Sequence, residues 1–411
     1  MRSAASARSK GYAFWTRPQS NGMEYSAEQQ NRIRKVRRMR TFVRLRNFAR
    51  KNTVMLIALA AALVTMCFVP VDRDYLGYFD FKTLTCLFCV LAVVCALGNV
   101  YFFYTLARKI VVLLKNARMS VLALVYITFI GSMLIANDMA LLTFLPLGYF
   151  VLHTTRKEKY MAFTFIMQNI AANLGGMLTP FGNPQNLYLY TRFRIPTGEF
   201  VRIMLPPFLF AVALITVCCL IFVKPEKLEL DDMNMKLDKK RVALYLALFA
   251  LSIAIVFRGI PYWIGLIVIP ITLLIFDRKA LRQVDYGLLF TFVFFFIFAG
   301  NMARIGVIRS FFSSLLSWDT LLVSTASCQF ISNVPSAILL SQFTGNYREL
   351  LLGVNIGGVG SLIASLASLI TLRTYSAHFP DKTARYIGLF SAFNFAFLLL
   401  LTGFELLLRF V

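Results

Sequence analysis

The sequence has only 2 histidines and 19 acidic residues among 411, against 43 Lys and Arg. His153 and His378 lie far apart, each beside a loop-like stretch. No Ser-His-Asp set, metal cluster or phosphate-cradling glycine loop can be assembled from such an inventory, so neither an enzyme nor a bound cofactor is expected. Seven cysteines (Cys67, Cys86, Cys89, Cys95, Cys218, Cys219 and Cys328) all fall inside apolar runs. Cys86 and Cys89 form a CxxC with no second pair, which reads as packing rather than zinc or redox chemistry. A short charged start followed by an apolar core is also missing. The first 50 residues are polar and basic, so no cleavable signal peptide is expected. Most telling is the shortage of polar surface: 58% of residues are hydrophobic and 15% charged. A soluble domain could not cover itself with that composition.

Apolar runs are abundant instead. They lie near 53–70, 83–106, 119–136, 203–223, 242–257, 261–276, 286–303 and 387–408. Most approach the length that crosses a bilayer. The fold class expected is an all-α polytopic membrane protein with about 9–11 transmembrane segments.

The net charge of +24 is unevenly spread. Residues 1–51 hold 14 Lys and Arg against Glu24 and Glu28, and so supply +12. Such a run suits nucleic acid or a membrane surface. Immediately before a first span it reads as a cytoplasmic anchor by the positive-inside rule, attracted to anionic headgroups, with no nucleic-acid partner. Residues 1–22 differ in character from the rest of the chain, and Met23 is an alternative start. Segments 1–51, 107–118, 153–160, 224–241, 278–282 and 373–385 together carry 33 of the 43 basic residues. Placing them inside gives a multi-pass protein of the cytoplasmic membrane with its amino terminus in the cytoplasm.

The same charge distribution constrains the topology. Residues 119–152 begin and end beside basic clusters, so they are expected to enter and leave on one side as a re-entrant hairpin around "ANDM". Residues 319–345 do the same from the other side around "SNVPS". A repeat then appears. "LAVVCALGNVYFF" (91–103) resembles "FVFFFIFAGNMAR" (292–304), and the two tips share Asn137 and Asn333. "NLGGMLTPFGNPQN" (173–186) aligns without gaps to "NIGGVGSLIASLAS" (355–368). Three matches in the same order, entering from opposite sides, mark two inverted repeats, the plan of many secondary transporters. The expected division is a basic arm 1–51 and a first membrane half 52–223 (hairpin 119–152, broken helix 160–190). A linker 224–241 and a second half 242–411 (hairpin 319–345, broken helix 347–372) complete the chain.

The broken segments and tips nominate the site. Helix ends expose free amides and carbonyls, and short polar side chains suit such places. Candidates in the first half are Asn137, Thr179, Gly182, Asn183 and Asn186; in the second, Ser332, Asn333, Ser361, Ser365 and Ser368. Asp138 is an acid at a tip, fit either to bind sodium, to carry a proton or to cap the next helix. A sodium ion is expected near Asn137, Asp138, Ser332 and Asn333. Glu405, near the end of the last run, is expected to meet water. Arg304 is expected to snorkel or to draw anions.

"IANDMALLTFLPL", "LTPFGNPQN", "ISNVPSAILL" and "GVNIGGVGSLIASLASL" resemble the ion transporter superfamily. That group includes arsenite permeases, sodium/proton antiporters and divalent anion/sodium symporters for citrate and dicarboxylates. The resemblance covers about 82–372. It implies two re-entrant hairpins, two interrupted helices, often a homodimer, and elevator-type alternating access. Carried over by position, the tips at Asn137 and at Ser332-Asn333 and the two broken loops would hold substrate and coupling ion. Dicarboxylate carriers have Ser-Asn-Thr at both tips. Here the tips are Ala136-Asn137-Asp138 and Ser332-Asn333-Val334, closer to arsenite-permease-like members. The expected function is secondary transport of a small inorganic or organic anion with a coupling cation, sodium or proton. The alternatives are a sodium/proton antiporter using Asp138, a channel, or a membrane-embedded enzyme.

Overall fold

A computed structural model describes residue 39 and residues 52–410, except 113, 115 and 228–236. Apart from Met39, the basic arm 1–51 lies outside the described residues, as does the middle of the linker 224–241. The described chain is helical, with one isolated antiparallel bridge between Asn116 and Lys227.

The first half runs α1 (Thr53–Met66), a 3-10 turn (Arg73–Tyr78), α2 (Phe81–Asn99) and α3 (Phe102–Val112). Then come α4 (Ala117–Ile135), α5 (Asn137–Thr154), α6 (Met161–Gly175), α7 (Pro184–Arg192) and α8 (Thr197–Phe222). The second half runs α9 (Lys239–Val256), α10 (Tyr262–Phe276), α11 (Arg278–Gln283), α12 (Tyr286–Arg304) and α13 (Gly306–Trp318). It ends with α14 (Thr320–Ile331), α15 (Asn333–Leu340), α16 (Tyr347–Ile356), α17 (Leu366–His378) and α18 (Thr383–Leu408). Among the described residues, five stretches, 81–99, 117–135, 197–222, 286–304 and 380–408, are long and apolar enough to cross a membrane. A 19-residue helix at this rise covers about 28 Å, close to the hydrocarbon thickness. The chain is an all-α membrane protein.

The scarce acids explain where helices start. Asp72, Asp80, Asp238, Asp277, Asp285 and Asp319 each accept a hydrogen bond from a backbone N–H in the first turn of the helix they precede. Such caps satisfy amides that the helix itself leaves free, and each contributes about 1 kcal/mol. Where the sequence suggests one apolar run over 83–106, the helix instead stops at Asn99 and resumes at Phe102. Tyr101 turns the chain at φ +55° between them.

Apart from α9 and α11, which have no α-helical counterpart in the described first half, the two halves share their element order. A short apolar helix (α1 or α10) leads to a long helix (α2 or α12), a short one (α3 or α13), a tightly joined pair, a broken helix and a long last helix. The long helices are cross-tied. Asn99, at the end of α2, donates to Asp277 just after α10 (2.9 Å); Asn301, near the end of α12, donates to Thr65 near the end of α1 (3.2 Å). These are the two Gly-Asn sites that the sequence pairs.

Two side chains differ from expectation. Arg304 is engaged rather than free: it pairs with both carboxylate oxygens of Asp72 (3.0 and 2.6 Å) and donates to the Tyr78 hydroxyl. That contact holds Asp72 below the usual carboxylate range. Glu405 is largely covered rather than open to water. It is 7% exposed, and its Oε1 has no hydrogen-bond partner among the described residues. Helix position alone does not reveal which neighbours cover a residue.

Candidate substrate and ion site

Each tip is a single residue between two helices, and both have the same unusual backbone. Ala136 (φ +65°, ψ 151°) joins α4 to α5; Ser332 (φ +72°, ψ 158°) joins α14 to α15. Neither is glycine, so each carries local strain that the surrounding packing must offset. The next residue, an asparagine in both, repeats a contact. Asn137 Oδ1 accepts from the Asp138 N–H and Asn333 Oδ1 from the Val334 N–H, both at 2.9 Å. Both asparagines are buried, at 4% and 3% exposure.

The broken helices correspond as well. α6 stops at Gly175 and α7 begins after Asn183; α16 stops at Ile356 and α17 begins after Ser365. Prolines 180 and 184 explain the first break, with Pro184 in the tolerated first turn of α7. The second break contains no proline. It rests on Gly357, Gly358 and Gly360, the last at φ +118°, a conformation side chains rarely adopt. The gapless sequence match pairs Asn183 with Ser365. Both stand immediately before the second half-helix with nearly equal dihedrals, −135°/144° and −147°/152°, though only the Ser365 side chain accepts a bond from the helix's first turn. It also pairs Thr179 with Ser361. The Thr179 hydroxyl donates to the Met133 carbonyl (2.7 Å) and the Ser361 hydroxyl to the Gln329 carbonyl (2.9 Å). Met133 and Gln329 each lie four residues before a tip asparagine, so both halves pin loop to pair at the same place.

Between the halves lies a buried carboxamide network. Asn137 Nδ2 donates to Asn173 Oδ1 (3.2 Å). Asn183 Nδ2 donates to the Asn173 carbonyl (3.2 Å) and to Asn355 Oδ1 (3.4 Å). Asn355 Nδ2 reaches Asn186 Oδ1 (2.6 Å), and Gln185 Nε2 reaches Asn355 Oδ1 (3.4 Å). A Cβ on Gly358 would lie 3.1 Å from Asn333 Nδ2 and 3.7 Å from Asn173 Oδ1, so this glycine separates asparagines from the two halves. Among the buried oxygens without a hydrogen-bond partner in the described residues are three that belong to the tip and loop residues, Asp138 Oδ1, Asn183 Oδ1 and Gln185 Oε1. Unpaired acceptors of this kind are costly in a low-dielectric interior and suit a cation.

Not every candidate faces this centre. Asn186 is divided: its Oδ1 belongs to the network, while its Nδ2 supports its own loop, donating to the Gly176 and Met177 carbonyls (3.1 and 3.3 Å). Gly182 is packed where a Cβ would press on the Thr179 hydroxyl and the Gly176 backbone. Ser365 caps α17 through the Ser368 N–H (3.3 Å). Ser368 reaches Ser365 Oγ (3.0 Å) and Asn169 (3.5 Å), and Asn169 continues to Asn394 (3.3 Å). Thr179 and Ser361 commit their hydroxyl protons to backbone carbonyls. Residues that sequence reading passed over are Asn173, Asn355, Gln185 and Gln329. Asn173 and Asn355 coincide in the repeat; Gln329 has no counterpart in the first half and carries no sequence signal. A polar cavity of about 450 Å³ lies elsewhere, at the start of α14, beside Asp319, Asn346, Glu349 and Arg409. Arg409 fills part of it, paired to Asp319 (2.6 Å) and Glu349 (3.0 Å).

The family model described as citrate transporter matches residues 42–346, about three quarters of the chain. The chain belongs to the citrate transporter family. This places it in the ion transporter superfamily. It is similar to an uncharacterized transporter of Methanocaldococcus jannaschii, 35% identical over 298 residues, 72% of this chain and 81% of that one. It is also similar to an inner membrane protein of Escherichia coli, 28% identical over 285 residues, 66% of this chain and 74% of that one. This member of the citrate transporter family is a membrane transporter, and its paired tips and broken loops lie where the two halves meet.

Proposed function

We propose that this protein is a secondary active transporter that moves a small inorganic or organic anion, coupled to sodium or protons, by elevator-type alternating access. The observation that carries the reading is the meeting of both halves at one polar centre, where Asn355 bonds with Asn183, Gln185 and Asn186 and Gly358 lies between Asn173 and Asn333. Donor amides from asparagines and helix starts suit an anion, and unpaired amide oxygens suit a small cation. No Lys or Arg occurs in 130–140, 169–190, 325–341 or 351–372. An anion there would be held by helix ends and amides rather than by arginine. The two tips enter from opposite sides of the cytoplasmic membrane, the amino terminus is cytoplasmic, and the assembly is a homodimer; the repeat, the charge distribution and the family resemblance support these in turn.

A sodium/proton antiporter is the second reading. The partnerless Asp138 Oδ1 favours it, since a carboxylate oxygen buried without a donor invites a proton or a cation. One experiment separates the two. Purified protein in proteoliposomes is given inorganic oxyanions, citrate and dicarboxylates with imposed sodium or pH gradients. Uptake of one anion driven by a gradient supports the first reading. Sodium-driven proton movement with no anion uptake supports the second, and no gradient-dependent flux of either kind defeats both. Asp138→Asn is expected to abolish the ion dependence while the protein still inserts; unchanged dependence removes the acid from the mechanism.

A further inference from the structure

The two halves match in backbone, but they are not held alike. In the second half, Gln329 of α14 grips the broken loop at several points. Its Nε2 donates to the Gly357 carbonyl (3.0 Å) and the Val359 carbonyl (3.2 Å). Its Oε1 accepts from the Ser361 N–H (2.8 Å), and its own carbonyl accepts the Ser361 hydroxyl (2.9 Å). Gly360, at φ +118°, lies directly against this side chain, where any Cβ would strike Gln329 Oε1. The tip is then stitched to the same loop. The Asn333 N–H donates to the Ala364 carbonyl (2.9 Å), and the Ser332 hydroxyl reaches that carbonyl too (3.2 Å).

The first half lacks both devices. The position matching Gln329 is Met133, whose side chain carries no amide. The loop carbonyls of Gly176 and Met177 are satisfied from within the broken helix, by Asn186. The bond matching Asn333 N–H to Ala364 would run from Asn137 to Gly182. Among the described residues, no hydrogen bond joins 136–138 to 179–183. Among the described residues, the one hydrogen bond from this tip to the broken helix runs from Asn137 Nδ2 to Asn173 Oδ1 (3.2 Å), while Thr179 holds the arm behind it at Met133.

We propose that Gln329 is a positioning residue that makes the second tip and the second broken loop one body, so that the first tip is the part of the site that moves. The inference rests on the proposed role of the two tips as halves of one site. Its physical basis is cooperativity. Three bonds through one amide, plus two through one carbonyl, must break together before tip and loop separate. Gln329 need not touch a substrate; it acts by presenting Ser361, Ala364 and Asn333 in a fixed relation.

Hydrogen exchange followed by mass spectrometry tests this on the full chain in nanodiscs, with no substrate added. In the unmodified protein, amides at 332–336 should exchange at least about tenfold more slowly than those at 136–140. Equal rates, or the reverse order, overturn the proposal without any variant. In Gln329→Met, which installs the side chain of the matched position, amides at 332–336 and 357–362 should quicken together by roughly tenfold or more. Protection in α8 and α12 should stay unchanged. If only the loop quickens, or neither segment does, tip and loop are not one body and the proposal fails. Thr179→Val is the control: it removes the bond from the first loop to Met133, and it should quicken 176–182 and leave 332–336 as before, because the second tip does not share that support. Since no transport is measured, this result is independent of whether any anion is found to move in proteoliposomes.

Discussion

At the scale of single residues, the chain depends on carboxamides and on a few backbone conformations. Asparagine and glutamine can donate and accept at once, and so link two broken loops without burying net charge. Gly360 illustrates the backbone requirement, because its φ of +118° and the adjacent Gln329 both exclude a side chain. Gly360→Ala should cost about 1–3 kcal/mol. A lowered melting temperature of the purified protein would report it, whereas Gly345→Ala, with open space around it, should leave that temperature unchanged. Asn137 and Asn333 were legible as sequence, each next to a tip in an otherwise apolar run. Gln329 was not. Its importance comes from carbonyls about thirty residues away along the chain, which no local pattern announces.

At the scale of elements, the breaks differ in visibility. Pro180, Pro184 and the Gly175-Gly176 pair advertise the first; the second hides in a run of glycine, serine and leucine and shows only beside the first. The paired hydroxyls give a direct comparison. Thr179→Val and Ser361→Ala each remove one donor to a carbonyl, for about 1 kcal/mol in each case. The Ser361 loss should be the smaller of the two in melting experiments, because Gln329 still grips that loop at three other points.

A second element-scale feature ties the end of the first half to its own helix pair. The Ala117 N–H donates to the Glu226 carbonyl (2.7 Å), and Arg118 Nε reaches the Val223 carbonyl (2.6 Å). Hydrogen bonds from Lys157, Lys159 and the Tyr160 hydroxyl push the Glu226 carboxyl down to about 2, from 4.5. A carboxyl depressed on folding stabilises above its ordinary pKa and loses that effect as pH falls toward the lowered one. The unmodified protein should therefore melt above Glu226→Gln at pH 7. That gap should hold down to about pH 5 and narrow below pH 4.5; a gap that grew with acidity would contradict the contact.

At the scale of the whole molecule, order and orientation are separate questions. The halves repeat their elements, their tips and one hydroxyl-to-carbonyl bond, and they interlock through Asn99 with Asp277 and Asn301 with Thr65. Opposite insertion makes a distinct prediction. In a Cys-free background, Thr154→Cys beside the first pair and Gly345→Cys beside the second should react with a membrane-impermeant maleimide from opposite faces of the membrane. Labelling of both from one face would remove the inverted arrangement and leave the fold described here intact.

The sequence by itself determined the membrane class, the two polar tips and the correspondence of the broken segments. Hydropathy and helix-breaking residues are local properties, readable one stretch at a time. Only the tertiary structure decided which amide meets which. It buried Glu405, occupied Arg304 with Asp72, and gave the second half a clamp at Gln329 that the first half lacks. These outcomes depend on contacts between residues far apart in the chain, where a side chain's role is set by whatever group the fold places across from it.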